Sequence, residues 1–502
     1  MFGPFRLVSP VLAVVAGIFS APLAGAEAIL RVPEDVADLH DAVAVAPDGA
    51  TIELAVGEYR LSRPLVVRNR SLNVVSEGAV LDGADAGAQD GMFVAACDDS
   101  ASDALPSINF SGLTLRHGTG ASSRSGGITA TNVRLSLNGL RFEACHADEG
   151  GAVRTVGGSL SVSGCVFSRC SSDGDGGAVS AARATDVRIG GSTFVENRAG
   201  RAGGAVSVAD ADRMSISGGA MELNEAEDGG AVASLRCEAL TVRRTRFGRN
   251  AAENGGGAVS ASDTAMEMTE AILTGNRAKA GGGVALTDGG AASIVACSTY
   301  GNDAGKGSDV FVGEASIADA TNCVLWPNGS PLAAAPSGVL RVSNSVVRGG
   351  WTGYGEHNVD DNPLYERPAG RDGVIGTADD DLRLREASPA IDAGDNTANV
   401  GGSDRAGRER VVDDRGVVDS GVGGGRVWMV DIGAYERHGR SGMSPCLANL
   451  AAPDDRFDHA DTLAFARLVA AEAPEADLAP PFGRVDIADV TAFLSEFTRG
   501  CK

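Results

Sequence analysis

Through the middle of the chain, apolar and polar residues alternate in short runs such as Leu160-Ser161-Val162-Ser163 and Ala239-Leu240-Thr241-Val242. A period of two over four or five residues predicts strands and argues against long helices. Between the runs, a Gly-Gly-Ala-Val signature recurs. The residue after the glycine pair falls at Ala152, Ala178, Ala205, Ala231, Ala258 and Val284, spaced 26, 27, 26, 27 and 26 apart. A second register ends on Cys145, Cys170, Asn197, Asn224, Asn250, Asn276 and Asn302, with an apolar residue three positions earlier at Phe142, Phe167, Phe194, Met221, Phe247 and Leu273, and Thr299 in the last copy.

Such regularity predicts a solenoid, with one supersecondary unit per repeat. Strands of successive coils would stack at about 4.8 Å. The predicted fold class is all-β: a right-handed single-stranded parallel β-helix with a small α-helical C-terminal domain. The phenylalanines would form an internal column. An asparagine in each coil can donate and accept, so it would bond the next coil at a turn. Cys145 and Cys170 would extend that column or form a small buried pair. The paired glycines would permit φ > 0 or a close backbone approach at a second turn.

The Phe-x-x-Asn and Gly-Gly-Ala-Val motifs of residues 140–305 resemble the repeats of polymorphic outer-membrane proteins, which implies a surface passenger-like architecture. Those proteins end in a membrane β-barrel, and this C-terminus shows no such strand series. Residues 29–82 are similar to the capping start of pectate-lyase-like β-helix proteins, with a short amphipathic helix around residues 36–45 covering the apolar end of the solenoid. The β-helix with its N-terminal cap is expected over residues 27–348, in about twelve coils.

Residues 357–436 carry Asp360, Asp361, Ser388-Pro389-Ala390-Ile391-Asp392-Ala393-Gly394, Asp404, Arg415-Gly416 and Asp431-Ile432-Gly433-Ala434-Tyr435-Glu436. They resemble the choice-of-anchor domain of exported β-helix proteins. Physically the segment is a carboxylate-rich cap. Asp379, Asp380, Asp381, Asp392 and Asp395 need arginine, backbone amides, water or calcium around them.

Residues 446–502 are duplicated at an offset of 28, which aligns Asp458 with Asp486, Asp461 with Asp489 and Phe465 with Phe493. This resembles a dockerin-type domain, in which each loop holds calcium and precedes a helix. The resemblance implies structural Ca2+ on Asn449, Asp454, Asp455, Asp458 and Asp461 in the first half and Asp477, Asp486 and Asp489 in the second. It implies a cohesin-like surface protein as partner. The second loop departs from the pattern at Leu478-Ala479-Pro480-Pro481-Phe482. A competing reading is a helical pair clasped by Cys446 and Cys501, with the aspartates as N-caps.

Composition narrows the partners. The net charge is -23, from 43 Lys plus Arg against 66 Asp plus Glu. A nucleic-acid partner is excluded on that ground, because phosphate binding needs a cationic surface. Residues 1–26 hold Arg6, an apolar run from about Val11 to Phe19 and Ala24-Gly25-Ala26, the form of a cleaved secretory signal. No later run is long and apolar enough to span a membrane, so the mature chain is expected to lack an integral segment and to be secreted, periplasmic or cell-surface. The nine cysteines lack the close pairs of a zinc site.

Two functions remain. One is a non-enzymatic surface β-helix for adhesion, structure or binding of an extracellular glycan. The other is a calcium-dependent lyase or a glycoside hydrolase acting on acidic glycans. No catalytic residues stand out: Arg201, Arg243, Arg244 and Arg246 fall in varied registers, and no coil-to-coil pair of aspartates stands out. Asp98, Asp99 and Asp103 form an acidic loop. The six histidines are scattered, and Trp326, Trp351 and Tyr354 are the best platforms for a sugar. The non-enzymatic reading is the main expectation.

Overall fold

The computed structural model describes residues 28–84, 91–98, 104–121, 124–398, 401–412, 414, 417, 419–422 and 428–438, together with helical residues 465–467, 469, 490 and 491 near the C-terminus. Among them the strands form four parallel sheets of thirteen, twelve, eleven and eight strands, plus one short antiparallel pair. The chain visits the sheets in a fixed order. Arg134–Asn138 lies in the thirteen-stranded sheet, Arg141–Glu143 in the twelve, His146–Ala147 in the eight and Val153–Val156 in the eleven, before Ser159–Ser163 re-enters the first sheet one coil higher. The protein is a right-handed parallel β-helix. Among the described residues no helix is long and apolar enough to cross a membrane.

Alternation sets the core. Along Ser159–Ser163, Leu160 and Val162 are buried and the serines point outward. At the aromatic register Phe142, Phe167, Phe194, Met221, Phe247, Leu273 and Thr299 pair coil to coil. The Phe142–Phe167 and Phe167–Phe194 rings stack at 4.7 and 4.6 Å, within 4° and 2° of parallel.

The asparagine column is a continuous ladder. The backbone N–H and the Nδ2 of Asn197 both donate to Oδ1 of Asn224, at 3.1 and 2.9 Å. Asn224 treats Asn250 the same way, Asn250 treats Asn276 and Asn276 treats Asn302. Each Nδ2 also donates to a carbonyl of the preceding coil, as from Asn224 to Phe194. The N–H of Cys170 joins the ladder by donating to Asn197 Oδ1 at 3.0 Å. Cys145 and Cys170 therefore occupy rungs. Other cysteines sit in columns of small polar residues: Cys165 N–H donates to Ser192 Oγ, and Cys323 N–H to Ser345 Oγ. The seven described cysteines are buried free thiols; Cys446 and Cys501 lie outside the described residues.

The glycine pair divides its labour. Gly176 has φ of 70°, the left-handed conformation that an L side chain resists. A Cβ at Gly177 would strike the carbonyl oxygen of Gly204 in the next coil.

At the N-terminal end, a helix spans Leu39–Val45. The Asp38 side chain caps it by accepting from the N–H groups of His40 and Asp41, and Leu39, Ala42 and Val43 close over the core. The acidic segment lies along the side of the solenoid. Tyr365, Leu382, Leu384, Ile391 and Ile432 pack on Ile272, Val324 and Val346 from the outer face of the twelve-stranded sheet. Apolar residues on that outer face are the reason: left bare they would face water. Polar clips complete the seam. Asn322 Nδ2 donates to the Asp395 carbonyl at 3.0 Å, Ala434 N–H donates to Ser298 Oγ at 2.9 Å, and Arg244 Nη2 reaches the carbonyl and hydroxyl oxygens of Ser403, both at 2.7 Å.

Candidate functional site

Among the described residues the eight-stranded sheet presents a charged outer face. Its inward positions are small, including Ala147, Ser172, Ala199 and Ala226. Its outward ladder reads Thr119, His146, Ser171, Arg198, Glu225, Ala251, Arg277 and Asp303. Parallel pairing puts each of these beside its neighbour one coil away, at about 4.8 Å. A groove of about 370 Å³ crosses the face, lined by Arg198, Glu225, Glu227, Glu253 and Arg277 among others.

Beside the groove, three coils contribute to one charged cluster. Glu149 and Asp175 both stand immediately before a glycine pair, and the Gly150 N–H donates to the Asp175 carbonyl, which fixes their register. Arg201, from the next coil, donates through Nη2 to Asp175 Oδ2 at 2.9 Å and lies 3.9 Å from Glu149 Oε1. The other oxygen of Glu149 accepts from Arg154 Nε at 3.1 Å. One guanidinium thus touches two carboxylates of adjacent coils. Burial pushes the Asp175 carboxyl up from its ordinary range; Arg201 pulls it down and Glu149 pushes it further up. Glu149 has two arginines against it, Arg154 and Arg201. Next to this cluster, Ser171 Oγ is 3.0 Å from His146 Nδ1, and His146 Nε2 is 3.9 Å from Asp173.

The sequence could have disclosed this pair. The position before the glycine pair runs Glu149, Asp175, Ala202, Asp228, so the two carboxylates are separated by one coil length. Coil stacking brings Glu149 and Asp175 together through Arg201. The other arginines are occupied elsewhere. Arg243 contacts Thr269, Arg244 binds Glu270 at 2.5 Å and the lateral segment, and Arg246 pairs with Glu222.

Asn449, Asp454, Asp455, Asp458, Asp461, Asp477, Asp486 and Asp489 lie outside the described residues, as do Asp99, Asp103 and residues 1–27. Asp98 is held by Asn69, whose Nδ2 donates to it at 2.8 Å. Trp326 packs inside the seam with Arg348 over its ring at 5.9 Å, and Trp351 is half-buried against the core; Tyr354 is exposed.

In the lateral segment, carboxylates clip loops together. The N–H groups of Asp392 and Arg437 donate to Asp431, those of Val412 and Asp431 to Glu436, and that of Glu436 to Asp404. Asp379 accepts from Arg371 N–H and Thr377, Asp380 from Gly376 N–H, and Asp381 takes the Arg383 fork. Among the described residues no group of three or more His, Cys, Asp or Glu is placed to hold a metal ion.

Among solved structures, the chain is similar to pectate lyase Pel9A, at 14% identity over 80% of this chain and 91% of that one, with a TM-score of 0.36. The in-register ladders define the β-helix independently of that likeness. No family model and no curated protein matches the chain, so the resemblances drawn for residues 140–305, 357–436 and 446–502 rest on their motifs alone.

Proposed function

We propose that the protein acts on an acidic polysaccharide laid along the eight-stranded face, by hydrolysis at the Asp175–Glu149 pair. The observation that carries this reading is the pair itself: two carboxylates from adjacent coils sharing Arg201. Glycoside hydrolysis needs one carboxyl to give a proton to the leaving oxygen and another to act as base or nucleophile. Asp175, held protonated to higher pH by burial, suits the first role. Glu149, held by Arg154 and Arg201, suits the second. Arg198 and Arg277, along the adjoining groove, would meet the carboxylates of a uronate chain. A sugar carboxylate that draws Arg201 away from Asp175 would raise the proton affinity of Asp175 further.

In this reading the protein is exported, and residues 446–502 attach it to a surface partner. The test is to incubate the full chain with uronate-containing and neutral glycans and follow new reducing ends and unsaturated products separately. Reducing ends from acidic glycans alone, abolished by Asp175→Asn, are expected. Unsaturated products would replace hydrolysis by elimination. Binding without any product would restore the non-enzymatic reading, which the exposed and aromatic-poor face also suits.

A further inference from the structure

A second charged cavity lies far from Asp175 in the fold, on the lateral segment. It measures about 620 Å³ and is formed where the antiparallel pair Tyr365–Arg367 and Asp381–Leu384 meets the chain around Arg408 and residues 436–438. Five arginines line it: Arg367, Arg383, Arg385, Arg408 and Arg437. The carboxylates Glu366, Asp381, Glu386 and Glu436 line it too, so in a chain of net charge -23 the cavity carries a local excess of arginine over carboxylate.

Arg437 is taken up by an ion pair with Asp414, and the partners of the other four leave capacity for a ligand. Arg383 is forked onto Asp381. Arg408 donates to Asp404 at 3.1 Å and to the Glu436 carbonyl at 2.6 Å, and its buried Nε has no hydrogen-bond partner. Arg385 donates through Nη2 to the Glu366 carbonyl, while its Nε stands 3.8 Å from the Glu366 carboxylate, and both side chains are exposed. Arg367 is exposed on the rim. Glu436, the carboxylate at the back wall, is buried beside Asp431 and takes its proton more readily than an ordinary glutamate, so it offsets less of the positive charge. The cavity is open and polar and has no aromatic lining, so an apolar ligand gains little there. Planar guanidinium forks match carboxylate and sulfate oxygens in pairs.

We infer that this arginine cleft is a binding site for acidic sugar units, separate from the eight-stranded face, that anchors a glycan through its carboxylate or sulfate groups. It extends the proposed function, since both sites would take acidic glycan, but it stands on its own residues. A long duplex polyanion is disfavoured by the surrounding negative charge, which a short, flexible glycan segment can avoid.

The test uses the full chain and Asp175→Asn, titrated calorimetrically with a uronate oligosaccharide, a sulfated oligosaccharide, a neutral oligosaccharide of equal length and inorganic sulfate. Arg367→Ala/Arg385→Ala is measured beside them; both side chains are exposed, so the thermal midpoint should not change. The expected result is binding of either or both acidic oligosaccharides, weakened at least tenfold in the double variant, weakened by salt and retained in Asp175→Asn. The acidic oligosaccharide that binds identifies the anionic group. Equal binding of the neutral oligosaccharide, equal binding of inorganic sulfate, or no loss in the double variant would each overturn the assignment. Binding at the cleft with no glycan cleavage would sink the proposed hydrolysis while leaving the cleft intact.

Discussion

Asn302 Nδ2 donates at 2.9 Å to Oδ1 of Asp309, a fully buried carboxyl seven residues ahead, and so ends the asparagine ladder. Thr299 Oγ1 donates to the second oxygen at 2.7 Å. Burial nevertheless pushes this carboxyl up to about 7. In the unfolded chain it would titrate near pH 4, about the ordinary value for aspartate. Between those two values the unfolded state releases a proton that the folded state keeps. The contribution of Asp309 to stability therefore falls as pH rises toward 7 and is level beyond it. Asp309→Asn should remove this slope. Urea midpoints from pH 4 to 8 should show the variant gaining on the parent up to pH 7; a difference independent of pH would refute the assignment.

Truncating a middle rung should cost much more than truncating a surface polar residue. Asn224→Ala orphans two donors of Asn197 and strips acceptor Asn250 and carbonyl Phe194 of a donor. The expected loss is about 2–5 kcal/mol, the cost of two or so buried unsatisfied groups. Chemical unfolding of the two proteins side by side measures it. A loss under 1 kcal/mol would mean that water or a coil shift replaces the rung.

Phe167 sits between two parallel rings, so Phe167→Ala opens a hole that neighbouring coils cannot close without breaking register. A cost of about 3–5 kcal/mol is expected. Phe167→Leu, which keeps most of the volume and matches Leu273 in the same column, should lose far less.

The lateral segment should loosen without unwinding the solenoid. Arg244→Ala removes contacts to Ser403 and Glu270. Hydrogen exchange should speed up in residues 401–412 and stay unchanged in strand Val206–Ala209, whose ladder is remote from the seam. Uniform acceleration would show that the segment and coils open together.

Asp175 sets a pH signature if it is the proton donor. It must be protonated to act, so the rate should fall as pH climbs through its raised value. Arg201 lowers that value, so Arg201→Lys should leave the limb near its place and Arg201→Ala should move it to higher pH. A pH–rate profile unmoved by Arg201→Ala would remove Asp175 from the proton-donor role.

What could be read beforehand follows from geometry. Phe142, Asn197 and Gly176 occupy places where every coil has the same need, so their spacing betrays them. Glu149, Asp175 and Arg201 each come from a different coil and meet only once coils are stacked. Arg244 and Ser403 are 159 residues apart and belong to no repeat, so nothing local announced that the acidic segment would dock sideways. The carboxylates of that segment called for arginine, backbone amides, water or calcium as partners; loop amides and arginines bind those named above.

The ladder also has an arrow. Every asparagine finds its side-chain acceptor in the forward direction, and Asp309 accepts from the column without passing the bond on. A whole coil duplicated between Asn224 and Asn250 would leave no donor or acceptor stranded, so the length of the charged face is adjustable while its terminus is not. Growth of the molecule by internal copying would then add ridges to the face and keep the same stop.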